Sequence, residues 1–140
     1  MKKFIGLMAA LCFITIAATT KPPMKKAPLN ESTTVMNEKY KACIAACNTC
    51  IASCKRCEKS CSKMDAIKMA RCIQLCKECV SICTSASQLM NLDSDSAKAI
   101  CKECAIISEK CATECDKHDM ADCKKCATDC RKAAKLCNEM

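Results

Sequence analysis

Between Cys43 and Cys137 most cysteines recur by alternating steps of four and three residues, the repeat of one face of an α-helix. Of the 19 cysteines in the chain, 18 lie in this stretch. Cys43, Cys47, Cys50, Cys54, Cys57 and Cys61 occupy the a and d positions of successive heptads, where a helical bundle normally carries Leu or Ile. The spacing therefore predicts helices whose buried faces are stripes of sulfur. No packing argument prefers thiols to Leu or Ala at nearly every core layer, so the pattern is about chemistry as well as folding.

Four stripes can be traced. The first runs Met36, Tyr40, Cys43 through Cys61, with a helix starting near Ser32. Ser62-Lys63-Met64-Asp65 resembles a capping box, and the second stripe follows as Met69, Cys72, Cys76, Cys79, Cys83, Ala86 and Met90. Asn91-Leu92-Asp93-Ser94 is polar enough to turn and to cap the next helix. The third stripe is Ala97, Cys101, Cys104, Ser108, Cys111, Cys115 and His118. Asp119 is the expected N-cap of the last helix, with Asp122 in its first turn and a stripe of Cys123, Cys126, Cys130, Ala133, Cys137 and Met140. The single Gly is Gly6 and the last Pro is Pro28, so no helix interior is interrupted. Short turns between four helices impose an all-α, up-down-up-down four-helix bundle with a cysteine-lined core. A sparser row of Ile44, Ile51, Ile73, Val80, Ile100, Ile107 and Leu136 is left either to complete this packing or to form a subunit interface.

Residues 1–20 read as a secretory signal peptide: Met1-Lys2-Lys3 is a basic n-region, and the apolar run Phe4–Ala18 is too short to span a bilayer stably. Cys12 belongs to this segment and is set aside. Residues 21–31, with Pro22, Pro23 and Pro28, read as a flexible linker, and 32–140 as one bundle domain. The expected location is extracytoplasmic, such as a periplasm, with no stable membrane association after cleavage. Removing the signal leaves 21 basic against 15 acidic side chains, spread along polar helix faces, and Tyr40 as the only aromatic residue. Nothing remains to stack bases, so nucleic acid is not an expected partner.

An exported chain with an even number of cysteines is ordinarily a disulfide scaffold. Here the spacing opposes it. Helical neighbours three or four apart have Cβ atoms roughly 5–6 Å apart, whereas a disulfide wants about 3.5–4.5 Å. A disulfide-stapled structural protein, with bridges between helices, stays open as one alternative. The other is a zinc-thiolate store, but four thiolates on Zn²⁺ leave a net charge of −2 to bury with each ion. Cu(I) takes two or three thiolates that bridge to further ions, so a filled core approaches one Cu⁺ per thiolate and electrical neutrality. The ligand set on this reading is Cys43, Cys47, Cys50, Cys54, Cys57, Cys61, Cys72, Cys76, Cys79, Cys83, Cys101, Cys104, Cys111, Cys115, Cys123, Cys126, Cys130 and Cys137, holding many Cu(I) ions per chain.

The C-x-x-x-C-x-x-C-x-x-x-C-x-x-C-x-x-x-C run from Cys43 to Cys61, and the C-x-x-x-C-x-x-H segment Cys111–Cys115–His118 followed by Cys123, Cys126 and Cys130, resemble the copper storage proteins. The resemblance covers about Tyr40 to the end. It implies Cu(I) storage without catalysis, a bundle folded before copper arrives, and, for exported members, homo-tetramers. Ser108 and Ala133 depart from the pattern by standing where the stripes call for cysteine, and Asp122 stands where relatives often have a second histidine.

Up-down topology gathers Met36, Tyr40, Met90 and Met140 at one mouth of the tube, and Met64, Met69, His118 and Met120 with Cys61, Cys115 and Cys123 at the other. Thioether and imidazole bind Cu(I) without losing a proton and less tightly than thiolate, so His118, Met64 and Met120 are candidate ligands for admitting copper. One histidine and scattered surface carboxylates do not assemble a catalytic constellation, so no enzymatic activity is expected.

Overall fold

The computed structural model describes Glu31–Met140, with the side chains of residues 31–37, Lys39 and Ala66 outside the description. The signal-peptide and linker expectations, and the Met36 side chain at its mouth, therefore lie outside the described residues. Four helices make up the fold: α1 (Glu31–Cys61), α2 (Ala66–Asn91), α3 (Ala97–Cys115) and α4 (Ala121–Asn138). Each packs against two neighbours, α1 on α2 and α4, and α3 on α2 and α4. That is the up-down-up-down ring which short connections require.

The stripes become the core. All 18 cysteines from Cys43 onward are at most 2% exposed, joined by Leu75, Met90 and a set of alanines. Ile44, Ile51, Ile73, Val80, Ile100, Ile107 and Leu136 are half-buried and pack against these residues. The aliphatic row thus contributes to packing within the chain. Small thiols let the helices close on one another, and the flanking aliphatics supply apolar area that sulfur does not.

The turns differ in detail from the sequence expectation. Ser62 does not cap α2: its hydroxyl donates back to the Glu58 carbonyl at 2.8 Å, extending α1's end. Asp65 caps instead, its Oδ1 accepting from the Ile67 and Lys68 N–H groups at 2.9 and 3.3 Å. α3 is preceded by Ser96, which makes no side-chain cap bond. The bend is taken up by Asp93, in the left-handed region at φ 49°, where a short polar side chain is tolerated. Asp119 is likewise not the cap of α4. That position is Met120 in extended conformation, without a cap bond, while Asp119 pairs with Lys124 at 3.2 Å.

Candidate metal centre

Helical periodicity turns each stripe inward, and antiparallel packing brings sulfur atoms from different helices together. Cys43 of α1 lies 3.4 Å from Cys137 of α4, Cys50 lies 3.4 Å from Cys130, and Cys54 lies 3.5 Å from Cys126. Cys83 of α2 meets Cys104 of α3 at 3.4 Å. Toward the His118 mouth, Cys57 is 3.5 Å from Cys123 and 3.8 Å from both Cys72 and Cys115.

Several sets of thiols have all their sulfur atoms within 4.8 Å of one another. They include Cys50, Cys54, Cys79 and Cys130; Cys54, Cys111, Cys126 and Cys130; Cys57, Cys61, Cys72 and Cys123; Cys57, Cys76, Cys115 and Cys126; and Cys43, Cys101 and Cys137. Members are shared between sets, so the sites overlap rather than standing apart. Such an arrangement suits an ion that tolerates bridging thiolates.

All 18 described cysteines are free thiols. Their closest approach of 3.4 Å is far beyond a disulfide bond of about 2.05 Å. The disulfide-stapled alternative therefore finds no bridge among the described residues.

The thiols do not share protons evenly. Burial pushes Cys61 up to about 12, and burial is also the main cause raising Cys101 and Cys123. Cys43 is drawn down to about 5 by the thiols of Cys137 and Cys47. Cys137 is raised in turn, through its contacts with Cys104, Cys43 and Cys47. A soft cation that displaces these protons relieves both the crowding and the desolvation.

At the mouth beside Cys61, Cys115 and Cys123, α3 ends at Cys115, so His118 sits in the connection to α4 rather than on the helix. The cause is local: the Lys117 and His118 N–H groups bond to the Glu114 and Cys115 carbonyls, both at 3.1 Å, tightening the last turn. The His118 Nε2 is buried with no hydrogen-bond partner, and the nearest carboxylate oxygen, Glu114 Oε1, is 3.7 Å away. Met120 and Met69 are half-buried against the core. Met64 is 53% exposed and stands outside it. At the opposite mouth Met90 is buried, and Tyr40 and Met140 pack against the core.

Two features escaped the stripe analysis. Glu114, four residues before His118, flanks the imidazole, and that i, i+4 spacing was its available signal. On the outer side of the α1–α4 seam, buried Asp129 accepts from Ser53 and pairs with Lys125 at 2.7 Å, while Arg56 donates to Ser53 at 3.0 Å. One heptad away, Ser60 donates to Asp122. Both seams lie off the sulfur stripes, where only the folded pairing makes them visible.

Comparison with known proteins agrees with this geometry. The copper storage protein family model matches residues 36–140. A Cu(I)-bound copper storage protein from Bacillus subtilis, BsCsp3, superposes with a TM-score of 0.69 at 40% identity, covering 72% of this chain and 96% of that one. A cytosolic copper storage protein from Streptomyces lividans, solved during copper loading with five coppers, gives a TM-score of 0.70 at 25% identity, over 76% of this chain and 94% of that one. The uncharacterized cysteine-rich protein YhjQ of Bacillus subtilis is 40% identical over 99 residues, 70% of this chain and 85% of its own length. A core of 18 clustered thiols, the four-helix ring that encloses them and the family match over three quarters of the sequence place this chain in the copper storage protein family.

Proposed function

We propose that the 18 core cysteines are the ligands of an exported Cu(I) store that takes roughly one ion per thiolate. The observation that carries this reading is the overlap of the thiol sets, in which Cys54, Cys57, Cys126 and Cys130 each belong to more than one set. Isolated tetrahedral sites for a dication would keep their ligands to themselves. Shared thiolates fit an ion of single charge whose filled core stays near neutral.

Export is supported by the basic start and apolar run of residues 1–20. A homo-oligomer is supported by the family resemblance and by the 47% exposure of Ile106. Storage rather than catalysis is supported by ligands that are buried at 0–2% exposure, closed off from substrate-sized molecules.

The test is titration of the reduced, metal-free protein with Cu(I) against a competing chelator. Capacity on the order of 15–20 ions per chain is expected from one soft ion per soft ligand. Saturation at three or four equivalents would overturn the store in favour of a single cluster.

A further inference from the structure

Beside the His118 mouth the seam between α2 and α3 opens into a groove of about 420 Å³. Sites for small organic molecules run from roughly 300 to 1,000 Å³. Arg71 and Leu75, one turn apart on α2, form one wall, and Glu109, Lys110 and Glu114 near the end of α3, with Lys117 just beyond it, form the other. Residues three or four apart share a helix face, so α3 presents its charges to the groove as a row. Leu75, buried among the core residues, closes the groove from below.

The charges here are not all spent on one another. Glu114 is engaged: its Oε2 takes the Lys117 ammonium at 2.6 Å, and its Oε1 stands 3.7 Å from the His118 Nε2. Arg71 donates to the neutral Gln74 amide oxygen at 3.2 Å. Among the described residues Arg71, Glu109 and Lys110 make no ion pair, although all three are exposed along this groove. Two unpaired cations and one unpaired carboxylate complement a small molecule that carries carboxylates and an ammonium.

Position adds a second constraint. Glu114 is a wall shared between the groove and the mouth, so a molecule seated in the groove lies next to His118. Cu(I) reaches that buried nitrogen already bound to something, and thiols are the soft ligands that compete for it. We infer that the groove docks the carrier that delivers the ion. The carrier is a small amino-acid or peptide thiol holding Cu(I) through sulfur, with its carboxylates on Arg71 and Lys110 and its ammonium on Glu109.

The transfer is ligand exchange without change of oxidation state. Cu(I) passes from the carrier's thiolate by way of His118 to a protein thiolate. The carrier's Cu–S bond breaks as the new one forms, and the proton displaced from the protein thiol goes to the carrier's sulfur. This rests on the Cu(I) store proposed above and on admission at the His118 mouth.

Binding is read first, on the reduced, metal-free full chain. Adding glutathione should shift the backbone amide signals of Arg71, Leu75 and Lys110 in heteronuclear NMR spectra, whereas inorganic phosphate at the same ionic strength should not. Delivery is read by anaerobic loading from Cu(I) held in excess glutathione and from tetrakis(acetonitrile)copper(I), a cation without carboxylates. Arg71→Glu with Lys110→Glu should slow the first roughly tenfold, the scale of a local charge effect on association, without slowing the second or changing final capacity. Lys98→Glu with Lys102→Glu, exposed toward the far end of α3 and altering the net charge equally, should slow neither.

Slowing by both double variants would reduce the effect to long-range charge, and slowing from both copper sources would remove its tie to the carrier. Phosphate shifting the same signals would make the groove a general anion site. Each of these results overturns the docking, as does the absence of any shift with glutathione, which needs no variant. Uptake of only a few ions from either source would instead refute the store itself.

Discussion

At the scale of single residues, His118 is where chemistry other than thiolate enters. An imidazole nitrogen that is buried without a hydrogen bond is costly, and this one, 3.7 Å from Glu114 Oε1, sits at the end of the sulfur ladder, with Met120 half-buried against the core. A ligand that needs no deprotonation can receive Cu(I) and hand it inward to tighter thiolates. Changing His118, Met64 and Met120 together to Ala should slow uptake from a chelator several-fold while leaving final capacity almost unchanged, measured by stopped-flow loading. Slowing by changes at Met90 and Met140, with none from the His118, Met64 and Met120 changes, would place admission at the other mouth. Met64, 53% exposed, is expected to contribute least of the three.

Among the secondary-structure elements, α1 and α4 are held in register by polar pairs outside the core. Ser53 with Asp129 and Ser60 with Asp122 are each one heptad apart, and the pairing runs antiparallel. A slip of one turn would separate both pairs and every sulfur contact between these helices. Asp129→Ala leaves the buried Ser53 hydroxyl without its acceptor and should cost about 1–3 kcal/mol of metal-free stability, read from urea unfolding under reductant.

Much of this scale was readable from the sequence. A residue every three or four positions marks the buried face, and the breaks at Ser62–Asp65 and His118–Asp119 mark turns, because periodicity is a property of one helix alone. The caps were not readable in the same way. Ser62 and Asp65 are both good N-caps by type, and Ser62 lost because its hydroxyl could bond back to Glu58 in the preceding turn. Asp119 had Lys124 to pair with and left the cap position to Met120. Nor does a stripe say which sulfur it will meet: that Cys43 faces Cys137 depends on packing between helices 94 residues apart in the chain.

For the molecule as a whole, protons on the thiols tie stability to pH. Cys43 has its folded value drawn down from 9.0 to about 5. Its contribution is complete above pH 9 and is lost as pH falls toward 5, since the unfolded chain then binds the proton first. Cys61 is raised from 9.0 to about 12. It favours the fold below pH 9 and loses that advantage as pH climbs toward 12, where the unfolded chain ionises earlier. Through these two thiols, the urea midpoint of reduced, metal-free protein should fall on the acid side of pH 9 with Cys43 and on the alkaline side with Cys61. Cys61→Ala should flatten the alkaline limb. A midpoint that rises steadily from pH 9 to 11 would contradict the assignment.

Because the same buried residues are both the hydrophobic core and the cargo hold, this chain can drift in one direction more easily than in others. Ala and Ser occupy nearly the volume of Cys, so either can replace a thiol without opening a large hole, as Ser108 and Ala133 already fill theirs at 0% exposure. A lineage can thus shed binding capacity one position at a time while keeping an intact bundle. Larger side chains would overfill the tube and be removed by selection for folding alone. Descent would then leave a graded series of related bundles, alike in outline and different in how much metal they hold.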